Sequence, residues 1–162
     1  MNARRGRIVV GSDMRHETAD AVAQHLEDAG YDVVRCGAVG GPDTPWPEVA
    51  EQVGRLVAQR AVDSGVVCCW TGTGVSIAAN KVPGVRAALC GDADTARGAR
   101  KWNDANVLAI GLMSTEAGDA KAIVDAWLET AEVDPTEAGN IARVAELEQR
   151  YGERREAAGP GR

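Results

Sequence analysis

Short apolar runs alternate five times with segments of helical periodicity, and this alternation limits the folds open to the chain more than any other feature. The apolar runs are predicted to be strands and the periodic segments helices. Such a rhythm predicts an α/β protein with a mostly parallel five-stranded sheet covered on both faces. Right-handed crossovers then give a three-layer α/β/α Rossmann-like sandwich. The predicted strands are 7–11, 31–36, 65–69, 85–90 and 106–111, and the predicted helices are 17–29, 48–61, 75–80, 94–101 and 116–130.

A further helical pattern, 134–150, lies outside this rhythm and has few partners within one sandwich. We therefore expect one α/β domain over residues 1–133 and a C-terminal helix and tail over 134–162. The extra helix is expected to pack on a partner subunit. The charged tail from Gly152 onward is expected to fray.

Composition excludes several functional classes. With 18 basic and 24 acidic side chains the net charge is −6, so no overall field attracts nucleic acid or an anionic membrane. No apolar run approaches the roughly 20 residues of a membrane span, and residues 1–7 lack the apolar part of a signal peptide. The four cysteines lack paired Cys-x-x-Cys spacing, which argues against zinc and indicates reduced thiols in a cytoplasm.

The third predicted strand ends at a loop with glycine at alternate positions. Cys69 closes the strand, Gly72 and Gly74 follow, and a helix of small residues begins near Val75. Glycines let a ligand approach the backbone, and amides at a helix start favour anions. An oxyanion or phosphate site and a plain strand–turn–helix packed through its glycines both remain open. A P-loop is excluded because no Gly-Lys-Ser/Thr closes the loop.

Several segments resemble, in order and spacing, the type B ribose-5-phosphate isomerases and the related galactose-6-phosphate isomerase subunits. The resemblance covers about residues 7–127. The segments are Gly11-Ser12-Asp13, Cys69 with Thr71-Gly72-x-Gly74, Ser76-Ile77-Ala78-Ala79-Asn80-Lys81, Arg86-Ala87-Ala88, and Asn103-Asp104-x-Asn106-Val107-Leu108-Ala109.

This resemblance implies a sugar-isomerase domain and a homodimer or dimer of dimers whose subunits share active sites. It also implies conversion of an aldose to a ketose through a cis-enediolate, without metal or cofactor. The substrate would be a sugar or sugar phosphate. Such a reaction needs a base that moves a proton between adjacent carbons, and donors for the oxygen that gains charge.

The family motif divides the candidate residues into two sets. The catalytic set is Cys69, as the base, and Thr71, and the substrate-binding set is Asp13, Trp70, Gly72, Gly74, Ser76, Trp102, Asn103 and Arg143. Thr71, Gly72 and Gly74 would form the oxyanion pocket, and Asp13 and Asn103 would bind sugar hydroxyls. Asp13 and Asn103 could instead cap helices, and Cys69 could be an ordinary core thiol.

The chain departs from the family at residues that bear on the substrate. Met14 stands where the family has a histidine. His16, two residues on, could substitute for that histidine, but we interpret it as a surface residue. Trp102 replaces the histidine thought to open the sugar ring, and an indole cannot exchange a proton at neutral pH. Trp70 replaces a glycine after the cysteine, which should narrow or reshape the pocket.

The residues that bind the phosphate group in the family differ in this chain as well. Leu112-Met113 stand where the family has an arginine, and only Arg143 is retained further on. A single arginine holds a phosphate dianion less well than a bidentate set. We therefore expect a divergent isomerase for an open-chain sugar phosphate, such as a tetrose phosphate, or for a sugar without phosphate.

Two other functions remain as alternatives. Tryptophans at 46, 70 and 102 leave room for a catalytically silent sugar-binding or regulatory homologue. Nucleotide binding is disfavoured because the first strand leads into Gly-Ser-Asp and not Gly-x-Gly-x-x-Gly.

Overall fold

The predicted strands form one sheet in which each paired neighbour is parallel. In the computed structural model, which describes residues 5–158, they are β1 (Arg7–Ser12), β2 (Asp32–Gly37), β3 (Ser64–Cys69), β4 (Ala87–Leu89) and β5 (Val107–Gly111). Their order is β2-β1-β3-β5-β4. The central strand β3 pairs with both of its neighbours. Its Cys68 lies opposite Ser12 of β1, and its Cys69 lies opposite Gly111 of β5.

Helices cover both faces of the sheet, which confirms the three-layer sandwich. They are α1 (Glu17–Asp28), α2 (Trp46–Ala58), α3 (Thr73–Ala79), α4 (Ala93–Asn103), α5 (Ala117–Glu129), a 3₁₀ turn (Pro135–Glu137) and α6 (Ala138–Ala158). The helices α1, α4 and α5 pack on one face and α2 and α3 on the other. No helix among the described residues is long and apolar enough to cross a bilayer.

The side chains of β3 alternate between two apolar cores. Val66 and Cys68 enter the core shared with α1, α4 and α5, whereas Val67 and Cys69 enter the core shared with α2 and α3. This follows from the two-residue period of a strand. The alternation sends two adjacent thiols to opposite faces of the sheet.

Two asparagines hold the short edge strand β4. Asn80 donates its amide to Ala87 O (2.9 Å) and accepts from Ala87 N (2.8 Å), and Asn106 accepts from Arg86 N (2.8 Å). The strand covers three residues, fewer than the six predicted. The asparagine side chains satisfy backbone groups that have no strand partner on that side.

The C-terminal helix differs from its prediction at both ends. Asp134 caps the 3₁₀ turn through Thr136 N (2.9 Å), and α6 begins only at Ala138. It continues through Gly152 to Ala158, so the expected end at residue 150 is wrong. The fraying expected from Gly152 onward stays a prediction. One glycine costs a long helix rich in Glu, Arg and Ala only about 1 kcal/mol. The rest of the tail, 159–162, and residues 1–4 lie outside the described residues.

Candidate functional site

The strand order places an opening at the carboxyl ends of β1 and β3. In the sheet, β2 lies on one side of β1 and β3 lies on the other. The loops that follow β1 and β3 therefore run in opposite directions from the point where these two strands end. Open α/β sheets bind ligands at such a point. Asp13 N donates to Cys68 O (3.3 Å), which joins the two strand ends, and Thr44 N donates to Asp13 O (3.0 Å), which adds the loop after β2.

Of the two adjacent thiols, only Cys69 points to the side of the sheet where the glycine loop lies. Cys68 is fully buried in the opposite core, and burial, with smaller contributions from Cys69 and Asp13, raises its pKa to about 12. Cys69 is 5% exposed and packs in the core beneath α2 and α3. Of the two sulfurs, only that of Cys69 therefore lies on the same face of the sheet as the glycine loop.

The loop from Thr71 to Gly74 presents a row of unpaired backbone donors. Among the described residues, no acceptor receives the amides of Thr71, Gly72, Thr73 or Gly74. Gly72 has φ +74°, a conformation that strains other residues. A Cβ at Gly72 would also lie 2.7 Å from Gly111 N, so this loop conformation requires glycine. The amides are therefore available to an oxygen that carries negative charge.

Two hydroxyls accompany these amides. Thr71 Oγ1 lies 2.7 Å from Thr73 Oγ1, so one of the pair donates to the other and the second hydroxyl proton remains available. Ser76 is half-buried on the next turn, where its amide donates to Gly72 O (3.2 Å).

Asp13 brings a carboxyl group to the same edge. Burial raises the pKa of the Asp13 carboxyl above the ordinary 3.8, and the negative charge of nearby Asp43 raises it further. Hydrogen bonds from the backbone amides of Met14 and Asp13 itself act in the opposite direction and lower the pKa. Its Oδ1 is buried and has no hydrogen-bond partner in residues 5–158. An unpaired buried carboxyl oxygen is costly, as expected of a group that awaits a ligand. Asp13 is not a helix cap, because His16 occupies that position in α1.

Sequence reasoning left His16 and Trp46 out of the site, although the structure places both beside it. His16 is half-buried: its Nδ1 accepts from Thr18 N (3.2 Å), and its ring packs edge-on against Trp70 with centroids 6.4 Å apart. His16 is thus partly exposed, as expected of a surface histidine, but its ring also contacts a residue of the candidate site. Trp46 lies against Gly74. A cap position directly before an acidic helix start was the available signal for His16.

One chain does not bring all candidate residues together. Trp102 and Asn103 end α4, which runs back from the carboxyl edge of the sheet to its amino edge. A strand of five residues spans about 16 Å, so they lie far from Cys69 of the same chain. Trp102 packs on Gly98 one turn earlier. Arg143 is on α6, where it donates to Glu146 (2.6 Å).

A large cleft separates α6 from the β4 edge of the sandwich. Its volume is about 1050 Å³, and Asn103, Arg86 and Tyr151 are among the residues that line it. Glu148 bridges it by accepting from Gly84 N at 3.0 Å. Val144, Leu147 and Tyr151 on α6 are exposed apolar residues, a pattern typical of a surface that binds a partner.

No group of three or more His, Cys, Asp or Glu side chains in the described part of the chain is arranged to hold a metal.

Comparison with known proteins finds relatives of this chain and solved structures with the same fold. The family model described as Ribose/Galactose Isomerase matches residues 8–147. Ribose-5-phosphate isomerase B of Escherichia coli K12 is 38% identical over 141 residues, which is 87% of this chain and 92% of that protein. The galactose-6-phosphate isomerase subunit LacB of Clostridium acetobutylicum is 38% identical over 115 residues, 71% of this chain and 66% of that protein. The structure of ribose-5-phosphate isomerase B from Clostridium thermocellum superposes with a TM-score of 0.84 at 37% identity, covering 90% of this chain and 99% of that one.

Proposed function

The chain belongs to the ribose/galactose isomerase family, and hence to the aldose–ketose isomerases, and we propose that it acts on a small sugar phosphate or related sugar through a cis-enediolate with Cys69 as base. In this reaction Cys69 Sγ takes the proton from the carbon beside the carbonyl. The carbonyl oxygen gains the negative charge and takes the proton of the neighbouring hydroxyl. Cys69 Sγ then returns its proton to the former carbonyl carbon, and the neighbouring oxygen becomes the new carbonyl. No electron leaves the substrate and no co-reactant is required.

The row of unpaired amides beside Cys69 carries this proposal. Thr71, Gly72 and Gly74 supply donors at the position where an enediolate oxygen would gain charge, and the free hydroxyl proton of the Thr71–Thr73 pair adds another. Fixed donors of this kind each contribute about 10²–10³ in rate in well-studied enzymes. The buried, unpaired oxygen of Asp13 suits a substrate hydroxyl, which can donate to it.

We propose that the functional unit is a homodimer or dimer of dimers. Trp102, Asn103 and Arg143 would then complete the site of another subunit, since Trp102 and Asn103 lie at the opposite edge of the sheet from Cys69 of their own chain. The exposed apolar residues of α6 support such an assembly. The free thiols of Cys36, Cys68, Cys69 and Cys90 support a reducing, cytoplasmic location.

Solvent deuterium exchange tests the reaction. Tetroses, pentoses and hexoses, each with and without phosphate, are incubated with the protein in D₂O, and label at the carbon beside the carbonyl is measured by NMR. We expect incorporation with at least one member of this panel. A catalytically silent sugar-binding homologue, which the exposed tryptophans would also suit, binds a sugar without incorporating label.

The paired thiols provide a matched control. Cys69→Ala should abolish exchange while it lowers stability by only about 1 kcal/mol, because the sulfur is a small buried group. Cys68→Ala should keep exchange and lose about 1 kcal/mol of stability from its buried site. Full activity of Cys69→Ala would show that another group is the base.

A further inference from the structure

The hydroxyls of Thr71 and Thr73 face each other across Gly72, in the loop that follows Cys69. Their oxygens lie 2.7 Å apart, an ordinary distance for an O–H···O hydrogen bond. Within residues 5–158 this is the one hydrogen bond of either hydroxyl, and both threonines are exposed. The pair therefore keeps one hydroxyl proton that no group in this part of the chain accepts.

The backbone of Thr71 is held by the neighbouring strand. A Cβ on Gly111, the last residue of β5, would lie 2.6 Å from Thr71 O, so the Thr71 peptide packs directly on the strand end. Gly72, with φ +74°, then turns the chain into α3, which begins at Thr73. The freedom left to Thr71 is rotation of its side chain and hydroxyl, and the bond to Thr73 restrains that rotation.

Negative charge beside Thr71 would favour one of the two possible directions of this hydrogen bond. An oxygen that gains charge at the unpaired amides of Gly72 and Gly74 would accept the Thr71 hydroxyl proton as well. Thr71 Oγ1 then has only lone pairs for its neighbour, so Thr73 must donate to it. Because each bond in such a chain polarises the next, Thr71 becomes a stronger donor as the charge grows.

We propose that Thr73 is a positioning residue of the isomerase, whose hydroxyl holds Thr71 Oγ1 toward the substrate oxygen and strengthens it as a donor when that oxygen becomes negative. The inference rests on the proposed function for its reaction, and it assigns a role to the open position of the Thr71-Gly72-x-Gly74 motif. The added polarisation exists only while the oxygen carries charge, so Thr73 stabilises the transition state more than the bound substrate.

Substitutions that keep the branched shape of threonine test this role in kinetics with the best substrate of the exchange panel. Thr73→Val should lower kcat about tenfold, equivalent to about 1.4 kcal/mol, with KM within about twofold of wild type. Thr73→Ser restores the hydroxyl and should recover most of the loss. Thr130→Val is the matched control, because it removes a hydroxyl bond to Ala126 O (2.8 Å) at the end of α5, and it should keep wild-type kcat.

A double-mutant cycle shows whether Thr73 acts through Thr71. Thr71→Val should lower kcat about a hundredfold, the usual effect of losing an oxyanion donor. In that background Thr73→Val should have no further effect, since the donor that it supports is gone. Additive losses would overturn the inference and give Thr73 a separate role. Wild-type kcat in Thr73→Val would also overturn it, while the isomerase would remain.

A measurement without substrate separates this inference from the proposed reaction. Three-bond NMR couplings from the Thr71 methyl carbon to its backbone nitrogen and carbonyl carbon report the χ1 rotamer. We expect one rotamer in the wild type and averaged couplings in Thr73→Val, with the amide signals of Gly72 and Gly74 nearly unshifted. Averaged couplings in the wild type would overturn the inference whatever the activity. A fixed rotamer in a chain that exchanges no label would refute the isomerase, and with it the part of Thr73 in the reaction.

Discussion

Gly72 and Gly111 lie so close that neither can carry a side chain in the present structure. A Cβ on Gly72 would lie 2.7 Å from Gly111 N, and a Cβ on Gly111 would lie 2.6 Å from Thr71 O. The end of β5 therefore supports the loop that follows Cys69. This contact fixes the direction of the unpaired amides, so the loop geometry depends on two strands and not on the loop sequence alone.

Gly111→Ala should displace the Thr71–Gly72 peptide and misalign its amides. We expect kcat/KM for the best substrate of the exchange panel to fall about a hundredfold, the usual effect of losing an oxyanion donor. Overpacking should cost about 1–3 kcal/mol of unfolding free energy, measured by urea denaturation.

Gly118→Ala is the matched control for that substitution. A Cβ at Gly118, in the first turn of α5, would meet nothing within 4 Å. It should keep full activity and gain about 0.5–1 kcal/mol, because alanine loses less backbone freedom on folding. Equal activity of the two alanine variants would show that the loop does not need the Gly72–Gly111 contact.

The sequence predicts the local part of this site well because strand, loop and α3 follow one another along the chain. The βα rhythm gives the sandwich, and the alternate glycines give a loop of free amides after Cys69. Strand order could not be predicted from the sequence, because hydrophobic periodicity shows that a segment is buried but not which strand is its neighbour. The contact of Gly72 with Gly111 and the pairing of Asp13 with Cys68 depend on that order.

Residues near the site that come from other segments were harder to assign. His16 has the position of a helix cap, yet only the placement of β1 beside β3 brings it to Trp70. Trp102 and Asn103 share a motif with the site residues of the family, but α4 carries them to the amino edge of the sheet. Their separation from Cys69 is a consequence of the antiparallel return of a crossover helix.

Asp13→Asn should make the protein more stable at neutral pH and less active. Burial raises the pKa of the Asp13 carboxyl above its ordinary 3.8, so the folded chain retains the proton to a higher pH than the unfolded chain. The ionised carboxylate therefore lowers stability, fully above the raised pKa and not at all below the ordinary value.

Thermal melts from pH 3 to pH 8 measure this effect. The melting temperature of Asp13→Asn should exceed that of wild type at pH 7, and the difference should shrink as pH falls through the interval above 3.8. Deuterium exchange should fall at least about tenfold, because an amide cannot accept from a sugar hydroxyl as strongly as a carboxylate. An equal melting temperature at every pH would mean that the Asp13 carboxylate carries no folding penalty.

The exposed apolar residues of α6 predict the effect of a charge on assembly. Val144→Asp places a carboxylate beside Leu147 and Tyr151, and it should convert the proposed oligomer to monomers in sedimentation velocity. Activity should fall with it, since Trp102, Asn103 and Arg143 would no longer complete another site. Ala142→Asp, on the opposite face of the same helix, should remain oligomeric and active. A wild-type chain that sediments as a monomer would argue against shared sites.

Asn80→Asp should detach the edge strand that borders the large cleft. The Asn80 amide donates to Ala87 O at 2.9 Å, and an aspartate would place a second acceptor against that carbonyl. We expect a loss of about 1–3 kcal/mol, or several degrees in the melting temperature. Asn140→Asp, which removes an exposed bond of 2.8 Å to Glu137 within one turn, should cost less than about 1 kcal/mol. Amide hydrogen exchange should show the difference directly: Cys90, whose amide donates to Ala109 O of β5 (3.1 Å), should lose protection in Asn80→Asp, while β3 and β5 retain it. Unchanged protection of Cys90 would mean that β5 holds β4 without the Asn80 amide.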